Sequence, residues 1–277
     1  MEKLKIVNCG CGYKYDKSMI NLDFISNSPD IIACNLLKKL PFSDNEVDAI
    51  YSSHMIEHFT SDQAHSWLKE CHRVLKPGGV IRLVAPDLEN ACRNYLNELD
   101  KVKEGDRKNI SRSEYSVIAL IDQLVRDESG GMMRRYWASE KCDKDYLLER
   151  HGKEVFDQLH GYKKIKRGAL QSLKTHPLGA IKHIMGKVFG KLGKTLFGSF
   201  SFYKTYQLGK LNSKGEKHKW MYDSFSLSLL LEEAGFTNIQ TKKYMESSIP
   251  GFDKAKLELN DDGTEYKKHS VYVEANL

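Results

Sequence analysis

The chain has 277 residues, a formal net charge of +6, 40% apolar residues and a mean hydropathy of −0.52. This length permits one elaborated domain or a domain with a cap, and no apolar run reaches the roughly 18 residues that a membrane span needs. The six cysteines form no disulfide or metal-binding pattern, and no signal peptide is visible, so we expect a cytoplasmic protein with free thiols and no metal ion.

Short strands alternate with helices in the first third of the chain. A helix is predicted over 62–75, and Pro77 with the two glycines after it is expected to end that helix and form a turn. The strand candidates lack alternating polarity, which predicts a mostly parallel α/β sheet covered by helices on both faces. They lie at 4–8, 19–24, 31–34, 47–52 and 80–85, and Arg82 is the one charged residue of the last.

The middle of the chain has a different character. It is long, charged and rich in helical patterns, with an apolar stripe over 114–126. The α/β pattern then returns, with a helix over 224–234 and strands at 238–243 and 270–275. We therefore divide the chain into an α/β core at 1–87 and 221–277 and a long helical insertion at 88–220, placed after the fifth strand.

The first strand runs into the loop Asn8-Cys9-Gly10-Cys11-Gly12. Two glycines allow the backbone to turn sharply beneath a bulky cofactor. Asp23 follows the next strand, where a carboxylate can accept hydrogen bonds from both hydroxyls of a ribose. The alternative is an ordinary tight turn beside an exposed aspartate, and the loop alone does not decide between the two.

Three further stretches decide in favour of a cofactor site. Residues 40–58 resemble the fourth-strand region of class I S-adenosylmethionine-dependent methyltransferases, 70–79 the helix and turn before their fifth strand, and 231–236 the helix end before their sixth. The resemblance implies a Rossmann-like sheet of seven strands. More narrowly, 85–89, 218–223 and 270–275 are similar to predicted methyltransferases of surface-polysaccharide biosynthesis.

The resemblance also implies S-adenosylmethionine as the cofactor and a set of residues that hold it. The sequence departs from the family pattern at three places: Asn8 replaces a frequent acid, Lys14 the third glycine, and Asn35 a frequent aspartate near the adenine. The expected cofactor-binding residues are Asn8, Gly10, Gly12, Asp23, Asn35, Ser53, His54 and His58.

Catalytic candidates follow from the topology, since reacting groups gather beyond the carboxyl ends of parallel strands. His54 is a candidate base or a packing residue, and Asp87 is a candidate base or the N-cap of the next helix. His218 is a candidate through the resemblance alone. Nearby, Glu57 and His58 are expected to brace the loop or the methionine end of the cofactor. Trp220 is expected to be either a core residue or a platform for the substrate.

The acceptor is expected to be a hydroxyl group. The motif of exocyclic-amine methylation, Asn/Asp-Pro-Pro-aromatic, does not follow the fourth strand, and no Pro-Cys dipeptide offers the nucleophile of cytosine-ring methylation. We expect O-methylation of a sugar hydroxyl on a polysaccharide or lipid-linked glycan precursor. The alternatives are another small molecule or RNA, or a non-catalytic protein that binds the cofactor or docks on a membrane.

One segment of the insertion is strongly basic. Residues 163–219 hold fourteen lysines or arginines and one acid, Glu216. Within 170–202, apolar residues recur at helical spacing between lysines, which is typical of a helix lying on an anionic membrane surface. A cap helix with a solvated basic face, or nucleic-acid binding as the least favoured option, remains open. Membrane docking would make the protein peripheral at the inner face of the membrane.

Overall fold

A computed structural model describes residues 4–160, 209 and 217–277 of the chain. Its centre is a seven-stranded sheet of order β3-β2-β1-β4-β5-β7-β6. The strands β1 to β5 pair in parallel, and β7 runs antiparallel to β5 and β6. This confirms the predicted mostly parallel sheet. The strands are β1 Ile6–Cys9, β2 Ile20–Asp23, β3 Ile31–Ala33, β4 Val47–Ser53, β5 Leu75–Pro86, β6 Thr237–Thr241 and β7 Ser270–Asn276.

Helices cover this sheet and continue into the insertion. On one face, α1 and α6 bury Trp67, Leu68 and Leu231 in a core formed with the strands. On the other face, the segment around α7 packs Phe252 and Leu257 against β4, β5 and β7. The helices are α1 Ser61–Val74, α2 Leu88–Lys103, α3 Ile110–Val125, α4 Gly131–Trp137, α5 Lys144–His160, α6 Ser224–Glu233 and α7 Phe252–Ala255, with 3-10 turns at Ile56–His58 and Arg107–Asn109.

The boundary between α1 and β5 differs from the prediction. The helix ends at Val74, but the strand begins at Leu75, which pairs with Val47, and not near residue 80. The predicted turn at 76–79 lies inside this strand because Leu277 pairs with it. The Gly78 N–H donates to the Leu277 carbonyl at 3.3 Å, and the Leu277 N–H donates to the Gly79 carbonyl at 3.0 Å.

Arg82 is the charged interruption of β5, and its side chain is fully buried. Its Nε donates to Glu258 Oε1 at 3.0 Å, and its Nη1 donates to Glu274 Oε1 at 2.9 Å and to the Glu246 carbonyl at 2.7 Å. One guanidinium therefore fastens the segment 243–258 to the two strands β5 and β7. This segment leads directly into the wall of the functional site.

The described part of the insertion is helical. Helix α2 follows β5 at once, and α3, α4 and α5 share a small core of their own, formed by Tyr115, Met133, Tyr136, Tyr146 and Leu147. The stripe predicted at 114–126 belongs to α3, which begins four residues earlier, at Ile110. The basic stretch 170–202 lies outside the described residues. Among the described helices, none combines the length and apolarity that a membrane crossing requires.

Candidate functional site

A cavity of about 290 Å³ opens at the carboxyl ends of β1 and β4, beside the glycine loop. We call it the loop cavity. Its floor is the loop itself, and its far wall comes from the C-terminal part of the chain. The lining residues are Asn8, Gly10, Cys11, Gly12, Tyr13, Lys14, Tyr51, Ser53, His54, Leu257, Tyr266 and Lys267.

The two glycines of the loop have different roles. Gly10 has φ +71°, and a Cβ added there would lie 2.5 Å from Met55 Cγ, so this glycine lets the loop pack against the residues after β4. Gly12 has φ +59°, and an added Cβ would meet no atom within 4 Å. Because Gly12 lines the loop cavity, the missing side chain leaves room there for a ligand to approach the backbone.

Asp23 braces this loop. Its Oδ2 accepts the Gly12 N–H at 2.9 Å, and its Oδ1 accepts the Ile25 N–H at 3.2 Å. An ionised carboxylate has about four acceptor sites, so both oxygens keep capacity for the hydroxyls of a ribose. Asp23 lies at the end of β2, next to the loop, and is only partly buried.

Three further residues of the expected cofactor set lie in different surroundings. Asn8 is buried under the loop cavity, and its Nδ2 donates to Asn21 Oδ1 at 3.2 Å. Ser53 lines the cavity, at the end of β4. Asn35 is exposed and does not line it; its Oδ1 instead accepts the Leu37 N–H at 3.0 Å in a local turn.

Sequence reasoning missed the far wall of the cavity, which Leu257, Tyr266 and Lys267 provide. Lys14, at the position of the third glycine, holds this wall in place. Its Nζ lies 3.5 Å from the centroid of the Tyr266 ring and donates to the Leu259 carbonyl. The wall residues belong to no motif, and the lysine at a glycine position was the only signal in the sequence.

A second cavity, of about 360 Å³, lies between the sheet edge and the insertion. We call it the insertion cavity. His54, Tyr266 and Lys267 line both cavities, so the two spaces meet at these side chains. The other lining residues are Pro86, Asp87, Ala91, Ala119, Leu120, Gln123, Leu124, Met133, Trp137, Arg150, His151, His218, Met221, Lys268 and His269.

His54 stands between the cavities in a left-handed backbone conformation, with φ +51°. This conformation is uncommon for a residue other than glycine and is frequent at functional sites. Its Nε2 lies 2.9 Å from Ser270 Oγ, and its Nδ1 lies 3.5 Å from Glu57 Oε1. Burial lowers the pKa of His54 well below its ordinary value, so the ring is neutral near pH 7.

Asp87 lies at the start of α2 and at the wall of the insertion cavity. Its Oδ1 accepts the Asn90 N–H at 3.2 Å, which makes it the N-cap of α2, and the same side chain lines the insertion cavity. Burial raises the pKa of this carboxyl above its usual value. A carboxylate with a raised pKa is a stronger proton acceptor than one in water.

The structure brings His218 from the end of the insertion to the wall of the insertion cavity. Its ring is buried, and its Nε2 lies 3.0 Å from Gln123 Nε2. Burial lowers the pKa of His218 to about 3. His58 lies beside it, with ring centroids 4.9 Å apart, and lines neither cavity. Trp220 is 51% exposed, which excludes the core position that was one of its two sequence-based alternatives.

Residues 10–83 match the family described as "Methyltransferase domain". No curated protein matches the chain in sequence. Among solved structures, an S-adenosylmethionine-dependent methyltransferase from Archaeoglobus fulgidus is 10% identical with a TM-score of 0.38, and the match covers 99% of this chain and 86% of that one. One from Mesorhizobium loti is 21% identical with a TM-score of 0.26, covering 31% and 48%. The chain thus spans about half the length of the latter.

The strand order, with an antiparallel last strand between β5 and β6, is that of the Rossmann-like methyltransferase fold. The match to a methyltransferase domain supports S-adenosylmethionine as the cofactor. The loop cavity fits such a group, because Gly12 leaves open space over the loop and Asp23 stands beside it. In this chain, Gly10, Gly12 and Asp23 would hold it, with Ser53 and His54 facing it from β4.

The two loop glycines permit a matched test. Gly10→Ala adds a methyl group that collides with Met55 in addition to left-handed backbone strain, so we expect a loss of about 2–4 kcal/mol in the free energy of unfolding. Gly12→Ala adds only the strain, about 1 kcal/mol, but its methyl group enters the loop cavity and should weaken cofactor binding. Urea denaturation and calorimetric titration measure the two effects.

Gly78→Ala is the control for this pair, since Gly78 also has a positive φ and open space around it but lies away from the loop. It should lose stability as Gly12→Ala does and leave cofactor binding unchanged. Equal stability of the Gly10 and Gly78 variants would mean that the close approach to Met55 has no energetic consequence.

Proposed function

We propose that the protein transfers a methyl group from S-adenosylmethionine to a hydroxyl group of a saccharide, on a polysaccharide or lipid-linked glycan precursor. The observation that carries this proposal is the junction of the two cavities at His54. In-line transfer needs the acceptor oxygen directly beside the methyl group. A cofactor in the loop cavity and an acceptor in the insertion cavity satisfy this requirement.

Held by Gly10, Gly12 and Asp23, the cofactor would supply an electrophilic methyl carbon for transfer to the acceptor oxygen, with S-adenosylhomocysteine as the leaving group. The hydroxyl proton then needs a base in the insertion cavity. All three candidates line that cavity, and Asp87 is the strongest proton acceptor among them, because burial raises the pKa of its carboxyl and lowers the pKa of both histidines. His218 is a poor base, with a pKa lowered to about 3. His54 Nε2 is engaged with Ser270, and burial lowers the pKa of this ring well below its ordinary value, so His54 is also a poor base.

The walls of the insertion cavity support a saccharide as acceptor. A sugar ring has an apolar face and a rim of hydroxyls. Trp137 offers an aromatic surface for the face, and Gln123 and Arg150 offer hydrogen-bonding groups for the rim. The guanidinium of Arg150 also suits a phosphate, which a lipid-linked sugar carries.

Replacing Asp87 by asparagine tests the base. Asparagine caps a helix as well as aspartate does, so α2 should keep its stability while the rate of methyl transfer falls about 10²- to 10⁴-fold. Asp223→Asn is the matched control, because Asp223 caps α6 in the same way and lines neither cavity. The measurement is transfer of a labelled methyl group from S-adenosylmethionine to glycan precursors, with RNA as the competing acceptor.

Two results would contradict the proposal. Labelling of RNA in preference to saccharide would show that the acceptor is RNA and not a sugar hydroxyl. Equal rates for the Asp87 and Asp223 variants would remove Asp87 as the base and leave it a cap only.

We further propose that the basic stretch 170–202 docks the protein on an anionic membrane surface, where a lipid-linked substrate resides. The support is its sequence, with lysines between apolar residues at helical spacing and no acid. Lys182, Lys187, Lys191 and Lys194 replaced together by glutamate should abolish co-sedimentation with anionic liposomes. Equal sedimentation of the variant and the wild type would refute docking.

A further inference from the structure

Glu57 is a buried carboxylate whose Oε1 lies 3.5 Å from His54 Nδ1 without a hydrogen bond between them. It lies in the 3-10 turn after β4, is 1% exposed, and both of its carboxylate oxygens lack a hydrogen-bond partner among the described residues. Burying a carboxylate without a compensating partner is costly. A bound cation would offset the free-energy cost of burying this carboxylate.

Two histidines face this carboxylate. The Glu57 carbonyl accepts the Lys219 N–H at 2.7 Å, which draws the end of the insertion against the turn and brings in His218. One potential ligand atom of each of Glu57, His58 and His218 lies within 4.8 Å of the other two. One carboxylate and two imidazoles are a donor set typical of zinc and other divalent transition metals.

Neighbouring groups orient both rings. His58 Nδ1 lies 3.1 Å from the Lys217 carbonyl, which only accepts, so Nδ1 carries the proton and the Nε2 lone pair is left for a metal. The Gln123 amide lies 3.0 Å from His218 Nε2 on the other side. With the amide oxygen turned toward this nitrogen, Nε2 carries the proton and the Nδ1 lone pair is left for a metal. Such outer contacts are characteristic of histidine metal ligands.

We propose that Glu57, His58 and His218 form a binding site for a divalent transition metal of the zinc class. Tetrahedral zinc ligands lie roughly 3.3 Å apart at bond lengths of about 2.0–2.1 Å, so the three groups must approach one another by about 1.5 Å at most. His54 Nδ1, 3.5 Å from Glu57 Oε1, is positioned as a fourth donor. The positive charges of Lys267 and Arg126 act on His58 and His218 and would repel a metal cation. The affinity for the metal therefore depends on the negative charge of Glu57.

A metal here would also bear on the reaction. His54 and His218 line the insertion cavity, so the ion would sit at its wall. A bound cation lowers the pKa of a coordinated hydroxyl and makes it a better nucleophile. This consequence for catalysis rests on the function proposed above, whereas the metal site does not.

Equilibrium dialysis of the full chain against Zn²⁺ and Mn²⁺, followed by elemental analysis, tests the site. We expect about one Zn²⁺ per wild-type chain, and at least a tenfold lower affinity for Glu57→Gln and His218→Asn. His72→Asn is the matched control, because His72 packs against Phe236 outside the cluster. It should bind metal as the wild type does.

Thermal unfolding with and without Zn²⁺ keeps the test decisive where a variant folds poorly. The wild type and His72→Asn should melt at a higher temperature with the ion, and His58→Gln should not. Wild-type protein that takes up no ion, or variants that all retain it, would overturn the site. Bound metal with methyl transfer unaffected by a chelator would confirm the site and remove its catalytic role.

Discussion

Replacing Asp23 by alanine is expected to weaken S-adenosylmethionine binding about 100-fold or more. The carboxylate holds the Gly12 N–H at 2.9 Å and is the expected acceptor for the ribose hydroxyls, so the variant loses both the loop geometry and a direct contact. Hydrogen bonds to charged groups contribute about 1.5–3 kcal/mol each. Two of them account for about 3 kcal/mol or more, which corresponds to at least 100-fold in the dissociation constant. Calorimetric titration measures this change in the dissociation constant.

Two further variants show where the loss originates. Asp23→Asn keeps an oxygen that can accept from Gly12 but loses the charge, and should bind with intermediate affinity. Asp44→Ala removes an exposed carboxylate that pairs with Arg73 away from the loop, and should bind as the wild type does. If Asp23→Ala bound the cofactor as tightly as Asp44→Ala, the site would have to lie elsewhere.

Replacing Arg82 by methionine is expected to lower the free energy of unfolding by about 3–5 kcal/mol. The guanidinium is fully buried between Glu258 and Glu274, and its removal leaves two buried carboxylates without their cation. It also frees the segment 243–258, which leads to the wall of the loop cavity. Denaturant unfolding of the variant should therefore show a large shift of the midpoint, and cofactor binding should weaken with it.

The contribution of the buried charges to stability can be separated from that of the packing. Adding Glu258→Gln and Glu274→Gln to the methionine variant removes the buried charges and should recover part of the stability. Arg93→Met is the surface control, since its partner Glu89 is also exposed and such a pair contributes roughly 0.3–0.5 kcal/mol. A loss at Arg82 no greater than at Arg93 would show that the buried cluster does not fasten the segment.

The sheet was predictable because its signals are local. Apolar runs of strand length, the capped helix α1 and the glycine loop each depend on neighbouring residues, and their order along the chain determined the topology. The first error, at the start of β5, arose where pairing with Leu277 overrides a sequence that otherwise favours a turn. A contact made by Leu277, far along the chain, leaves no sign near Gly78.

Only the side of the loop cavity that the strand ends form was predictable from the sequence. Gly10, Gly12, Ser53 and His54 follow strands and line the loop cavity as their positions suggested. Its far wall depends on Arg82 and Lys14 holding segments more than 150 residues away. The cluster of Glu57, His58 and His218 likewise joins residues about 160 positions apart, so no spacing rule could indicate it, and no metal site was expected from the sequence.

Two expected cofactor residues make their hydrogen bonds away from the loop cavity. Asn35 closes a turn with Leu37, and His58 pairs with the Lys217 carbonyl, so neither lines the loop cavity. Their assignment came from the family resemblance, which transfers positions along the chain but not side-chain orientations. Their part in cofactor binding stays a prediction.

Titration of the full wild-type chain with S-adenosylmethionine in a calorimeter tests the central claim most directly. The loop cavity predicts one site per chain, competition by S-adenosylhomocysteine, and loss of affinity when Gly12 becomes alanine but not when Gly78 does. A heat of binding that shows these three properties would establish the loop as the cofactor site. No binding by the wild type, or equal binding by the Gly12 and Gly78 variants, would contradict it.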